Sequence, residues 1–146
     1  MTAELPFRRL RPEARLPEAA HPGDAGLDLR AAEPAKVGPG ERAMIPTGLA
    51  VAIPDGCAGL VLPRSGLASK HGLTLANAPG LIDAGYRGEV IVAVVNLDRE
   101  QAVTIEAGDR IAQLVVVALP SVSPSFVDKL PDTTRGEAGF GSSGTS

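Results

Sequence analysis

The chain has no tryptophan, one tyrosine and one cysteine, and its only aromatic side chains are Phe7, Tyr86, Phe126 and Phe140. A core without large rings has to be assembled from Val, Leu, Ile and Ala, which leaves Tyr86 and Phe140 conspicuous. A lone cysteine, Cys57, excludes an intrachain disulfide and any cysteine-based zinc site; it reads as a small buried hydrophobe. No charge of one sign dominates. The formal net charge is −3, which offers no general electrostatic attraction to nucleic acid. Arg8, Arg9, Arg11 and Arg15 gather near the start, where a solvated, partly frayed segment is the plain reading and a polyanion site the sharper one. No apolar run approaches the roughly 18 residues of a membrane span, and the N-terminus lacks the apolar stretch of a signal peptide. The chain therefore reads as soluble and cytoplasmic, with neither nucleic acid nor membrane as a partner.

Long helices are missing as well. Thirteen prolines and seventeen glycines are scattered through 146 residues, leaving room for a helical turn or two at Ser65–Lys70 and little more. Short apolar or alternating runs take their place: Ala43–Ile53, Gly59–Leu62, Leu73–Ala76, Val90–Leu97, Val103–Ile105 and Ile111–Leu119. GPGE, PDG, NLDRE and EAGD separate them as turn signals. The length suits one domain with a real core, and the punctuation predicts an all-β jelly roll or sandwich. We expect a β domain over residues 1–120. Residues 121–146 carry two prolines and then a Gly/Ser-rich stretch that cannot bury a core of its own, so they read as a flexible arm. Twenty extended residues span up to roughly 65 Å, enough to reach another subunit.

Five blocks carry chemistry: DAGLDL (24–29), PRSGLA (63–68), GLIDAGYRGEV (80–90), GDRIAQLV (108–115) and RGEAGFGSSG (135–144). In the third, Asp83 stands in a Gly-containing turn with Tyr86 three positions later. A carboxylate there acts as a general base if a water is held within its reach and aimed at an electrophile; its plain reading is a turn aspartate bonding nearby amides. PRSG combines the Arg64 guanidinium, the Ser65 hydroxyl and the unshielded Gly66 amide, a phosphate cradle or simply a turn. Asp28 reads as a strand-end aspartate or a site carboxylate, and Gln113 as an amide that needs partners if its apolar strand buries it. Asn77 alone is a turn residue and Tyr86 an ordinary strand tyrosine. The last block alone is a disordered tail.

In order and spacing these blocks resemble the homotrimeric dUTPases, which split dUTP into dUMP and pyrophosphate, and the resemblance runs from about Ala20 to Ser146. It implies a β-clip jelly roll assembling as a homotrimer, with active sites shared between subunits. In that frame Asp83 is the general base toward the α-phosphorus, Gln113 hydrogen-bonds the attacking water, and Arg64, Ser65 and Gly66 hold phosphate. The backbone around Ala78–Leu81 matches the acceptor–donor–acceptor edge of uracil, helped by Asn77, and the Tyr86 ring packs on the deoxyribose. The tail supplies Arg135 for the terminal phosphate, Phe140 to stack on uracil, and Gly141, Ser142 and Ser143 to wrap phosphate as a lid. Mg²⁺ is the implied cofactor, with no direct protein ligand: substrate phosphates and waters hold it, and Asp28 acts through a water or by orienting Arg64. The implied role is to limit uracil incorporation into DNA and to supply dUMP for dTMP synthesis. The chain departs from the family string at Ala138, where glycine is common; a positive φ there would strain alanine.

Two other readings are carried forward. One is a dCTP deaminase, or a bifunctional deaminase and dUTPase of the same fold, against which stands the absence of glutamate between Leu81 and Tyr86. The other is a nucleotide-sensing binding module that signals occupancy to a protein partner through its tail.

Overall fold

The computed structural model describes residues 4–145; residues 1–3 and 146, the outer ends of the expected domain and arm, lie outside the described residues. Its strands are β1 (Phe7–Arg9), β2 (Leu27–Arg30), β3 (Ala35–Val37), β4 (Arg42–Pro46), β5 (Leu49–Val51), β6 (Cys57–Leu62), β7 (Leu73–Leu75), β8 (Gly80–Ile82), β9 (Ile91–Asn96), β10 (Val103–Ile105) and β11 (Arg110–Ala118). The helical turns expected at Ser65–Lys70 form one short helix, α1, over Ser65–His71, closed by Gly72 in the left-handed conformation.

One sheet runs β2-β11-β6-β8 and another β4-β9-β7, with β1-β5 and β10-β3 as two-stranded pairs. The two larger sheets feed a single buried cluster through Leu29, Val61, Ile82 and Leu114 on one side and Ile45, Leu73, Val92 and Val94 on the other. Every buried hydrophobic side chain described is Ala, Val, Leu or Ile. Period-2 alternation explains how: in β9, Val92, Val94 and Asn96 point inward while Ile91, Ala93 and Val95 do not. The four expected turn signals are turns. Glu41 N–H bonds to Gly38 C=O, Cys57 N–H to Pro54 C=O and Asp109 N–H to Glu106 C=O, and Asp98 Oδ1 accepts the amides of Glu100 and Gln101. Those amides, Gln101 first, hold the exposed Asp98 carboxyl below its ordinary pKa.

Several expectations need correction. The N-terminal segment is not frayed over its described part, because β1 pairs with β5 (Phe7↔Val51) and Arg11 bonds Glu33 at 2.9 Å. Strands β1, β2 and β3 are too short and too polar to show a clear period. The run Ala43–Ile53 is two strands, broken where Gly48 takes a φ of 71° against Ala14 and Arg11. Cys57 is half-buried, at the outer end of β6, rather than a core residue.

The buried polar residue Asn96 joins three segments. Its Nδ2 donates to Val37 C=O (3.0 Å) and Gln101 C=O (2.8 Å), and its Oδ1 accepts Asp98 N–H (2.9 Å). Asn96→Ala is expected to lower unfolding stability by about 3 kcal/mol, because truncation leaves the buried Val37 carbonyl and the part-buried Gln101 carbonyl without this donor. Urea unfolding with an unchanged m-value checks this.

Candidate active site

Among the described residues strand β8 lies at the edge of its sheet, paired only with β6 (Leu60↔Leu81). One edge of its backbone therefore remains open to a ligand. Beside it is a cleft of about 300 Å³ whose floor includes Val61, Gly80 and Ile82 and whose rim carries Asn77, Asp83 and Tyr86. A side chain at Gly80 would come within 3.3 Å of both the Asn77 amide and Val61, so glycine keeps the cleft open there.

Asp83 opens a turn in which Tyr86 N–H donates to Asp83 C=O at 3.1 Å. Its carboxylate is exposed and, among the described residues, accepts no hydrogen bond. Other turn aspartates behave differently: Asp24 accepts the His21 amide, Asp98 those of Glu100 and Gln101, and Asp109 that of Glu106. The plain turn reading fits those three; the Asp83 carboxylate is left free for a ligand or water. Tyr86 folds back over the turn, its hydroxyl donating to Glu89 C=O at 2.9 Å.

A second cleft, of about 430 Å³, is lined by Asp28, Arg64, Ser65, Gly66 and Gln113, with Asp24 and Gly26 beside them. Residues from three segments meet here because β11 sits between β2 and β6, so that Gln113 is opposite Asp28 on one side and Leu62 on the other. Each carboxylate oxygen of Asp28 holds one arginine: Arg64 Nε at 3.2 Å from Oδ1 and Arg110 Nη1 at 3.3 Å from Oδ2. Arg64 Nη1 also donates to Arg110 C=O at 3.3 Å. The Asp28 side chain is 13% exposed and that of Arg64 27%, so the grip is shielded but the guanidinium still reaches solvent. Gln113 Nε2 donates to Pro63 C=O at 3.0 Å. Only an N–H can face that carbonyl, which fixes the amide orientation and directs Oε1 toward Gly26.

Within one chain these clefts share no lining residue. Asn77, Leu81, Asp83 and Tyr86 come together in one, and Asp28, Arg64, Ser65, Gly66 and Gln113 in the other. No described residue of the arm joins either. From Leu119 to Thr145 every described residue is exposed. The side-chain bonds of Arg135 and Thr133 and the Lys129–Asp132 ion pair stay within the arm. Phe140 is fully exposed. Positive φ occurs at Gly136, Phe140, Gly141 and Gly144 and not at Ala138, so the conformation described places no strain on alanine.

Sequence patterning singles out neither Arg110, which grips Asp28 at the second cleft, nor Gly26, which lines it. Arg110 and Gln113 are an odd number of residues apart, and a regular strand would turn them to opposite faces. A register shift between Arg110 and Ala112 inserts one residue, puts Arg110 opposite Arg30, and brings it to the face of Asp28. Gly26 lies against Gln113, where an added Cβ would overlap Oε1 outright; the only sequence signal was a glycine inside DAGLDL.

The dUTPase family model matches residues 12–144. Deoxyuridine 5'-triphosphate nucleotidohydrolase of Leifsonia xyli subsp. xyli is 59% identical over 130 residues, covering 89% of this chain and 86% of that protein. The protein of the same name from Mycolicibacterium gilvum is 54% identical and covers 99% of this chain and 97% of its own length. Among solved structures, the Staphylococcus bacteriophage 80alpha dUTPase with dUPNHPP superposes with a TM-score of 0.92 at 35% identity, over 99% of this chain and 100% of that one. A dUTPase from phage phi11 of S. aureus, whose structure details a structural Mg(II) ion, gives 0.81 at 32% identity over 89% of this chain and 100% of that one.

Proposed function

The chain belongs to the dUTPase family and hydrolyses dUTP to dUMP and pyrophosphate; we propose that it does so by attack of an Asp83-activated water on the α-phosphate, at sites shared within a homotrimer. The observation that carries the shared site is the division of the candidate groups: two clefts with no common lining residue, and an arm whose described residues line neither. One chain contributes the Asp83 hairpin, a second the Arg64 and Gln113 groups, and a third its arm. Exposed Met44, Leu81 and Ile91 around the first cleft, and Val122, Phe126 and Leu130 along the arm, are the apolar surface such an assembly covers. The activity limits uracil incorporation into DNA and supplies dUMP for dTMP synthesis, and we assign it to the cytoplasm. The structure has no helix, among the described residues, long and apolar enough to cross a membrane.

In this mechanism the open edge of β8 reads uracil through backbone N–H and C=O groups, with Asn77 beside it. Close walls leave no room for the methyl of thymine, and Tyr86 faces the deoxyribose. Asp83 takes a proton from a water that Gln113 helps to hold. The water oxygen bonds to the α-phosphorus as the bond to the α–β bridging oxygen breaks. Arg64, Ser65 and the Gly66 amide face the charge that develops on departing pyrophosphate. Asp28 holds Arg64 in place. For this step the arm lies closed over the bound nucleotide, with Arg135 on the terminal phosphate, Phe140 on uracil, and Gly141, Ser142 and Ser143 around phosphate, excluding bulk water.

The donor set fits a Mg²⁺ carried by substrate. Among the described residues no three His, Cys, Asp or Glu side chains cluster as a metal cage, and both oxygens of Asp28 are engaged by arginines. Phosphates and waters would therefore supply the ligands, with Asp28 reaching at most a bound water. When bound, the ion neutralises phosphate charge.

The test is incubation with dUTP, dCTP, dTTP and UTP separately, with and without Mg²⁺, resolving monophosphate, pyrophosphate and ammonia. dUMP and pyrophosphate from dUTP alone, faster with Mg²⁺, is the expected result. Ammonia from dCTP would move the chain to the deaminase branch, which would need a general acid/base at the pyrimidine C4. No turnover would leave nucleotide-gated partner binding. Gly26→Ala is expected to lower kcat on dUTP by about 10²-fold with little change in fold, since a misplaced amide near 1 Å from its working position costs on that order. Steady-state kinetics beside a thermal melt checks it.

A further inference from the structure

We propose that Gly88 is a positioning residue for sugar selectivity: its missing side chain lets the Tyr86 ring fold back across the turn and lock onto Glu89. This rests on the reading of Tyr86 as the deoxyribose face. A Cβ built at Gly88 would lie 2.5 Å from the Tyr86 hydroxyl oxygen, 2.7 Å from Cζ and 3.0 Å from Cε2. Real side chains do not approach that closely, so anything larger than hydrogen evicts the ring. The φ of Gly88 is not in the left-handed region, so the glycine is needed for clearance and not for a backbone conformation.

The anchor is firm. Tyr86 OH donates to Glu89 C=O at 2.9 Å, and the residues around that carbonyl are bound to the body. Glu89 Oε1 accepts Gly48 N–H at 3.2 Å and faces Arg11 Nε at 3.7 Å, while Val90 N–H donates to Leu49 C=O at 2.7 Å. Tyr86 as a residue is 45% exposed, so packing alone does not hold its ring. Its pose depends on the clearance above Gly88 and the hydroxyl tether. Rejection of a 2′-hydroxyl requires a wall that does not yield, and a freed ring can swing aside to admit the ribose.

The chain contains one tyrosine and no tryptophan, so intrinsic fluorescence reports Tyr86 by itself. Gly88→Ala is expected to change the intensity and anisotropy of that emission, to leave far-UV circular dichroism unaltered, and to lower the dUTP/UTP ratio of kcat/KM about tenfold. The loss falls on selectivity more than on kcat for dUTP. Tyr86→Phe, which adds no atom and removes the tether, should shift the ratio in the same direction. Unchanged emission in Gly88→Ala would show that the ring never relied on the clearance. Altered emission with an unchanged substrate ratio, or a wild-type ratio in Tyr86→Phe, would overturn the assignment to selectivity. Failure of the hydrolase reading itself would appear separately, as no dUTP turnover by the parent protein, while the emission change would still report the ring.

Discussion

Asp83→Asn is expected to lower kcat on dUTP by about 10²- to 10⁴-fold, the usual contribution of a positioned general base, while nucleotide binding persists. The carboxylate is exposed and unbonded among the described residues, and the turn around it is held through its backbone carbonyl by Tyr86 N–H. The substitution therefore removes a proton acceptor without removing a structural contact. Stability should stay within about 0.5 kcal/mol of the parent, as for surface changes away from special features. An amide has neither the charge nor the basicity to take the proton from water, so the loss belongs to the chemical step. Single-turnover kinetics and calorimetric titration with a non-hydrolysable dUTP analogue separate the two effects. Turnover at the parent rate would remove Asp83 as the base.

Deletion of Arg135–Ser146 is expected to leave the fold and its melting temperature intact and to lower kcat/KM on dUTP by about 10²- to 10³-fold. That is the order lost when preorganised donors to a developing anion are removed. The fold should survive because the described arm residues are exposed and bond among themselves. A subunit-mixing experiment sharpens the result. Arm-deleted chains and Asp83→Asn chains, each nearly inactive alone, should regain activity when assembled together, because some sites then combine an intact Asp83 from one chain with an intact arm from another. Absence of rescue in verified mixed trimers would argue that each chain uses its own groups, and a deletion with full rate would show that the arm is dispensable.

Much of this is legible in the sequence. The β runs, the four turn signals and the aliphatic core follow from alternation and from the scarcity of aromatics, both local properties of the chain. The short strands β1, β2 and β3 were not legible: three or four half-polar residues carry no measurable period, and they exist because a partner strand supplies their hydrogen bonds. The N-terminal segment looks frayed in sequence for the same reason. Its arginines look solvated in isolation, and only the folded chain brings Glu33 and Glu89 to Arg11.

The sequence by itself determined which chemistry is available: a carboxylate beside a single tyrosine, an Arg-Ser-Gly cradle, an amide in an apolar strand, and a Gly/Ser tail with one ring, in an order shared with the dUTPases. Tertiary structure alone decided how those groups are distributed. It set Asp83 and Gln113 in separate clefts, clamped Asp28 between Arg64 and Arg110, and assigned Gly26 and Gly88 the task of clearance. Residue chemistry and alternation are written within a few positions of one another. Strand partners, the inserted residue in β11 and the space above a glycine are set by hydrogen-bond register between segments far apart in the chain, and no local pattern encodes that register.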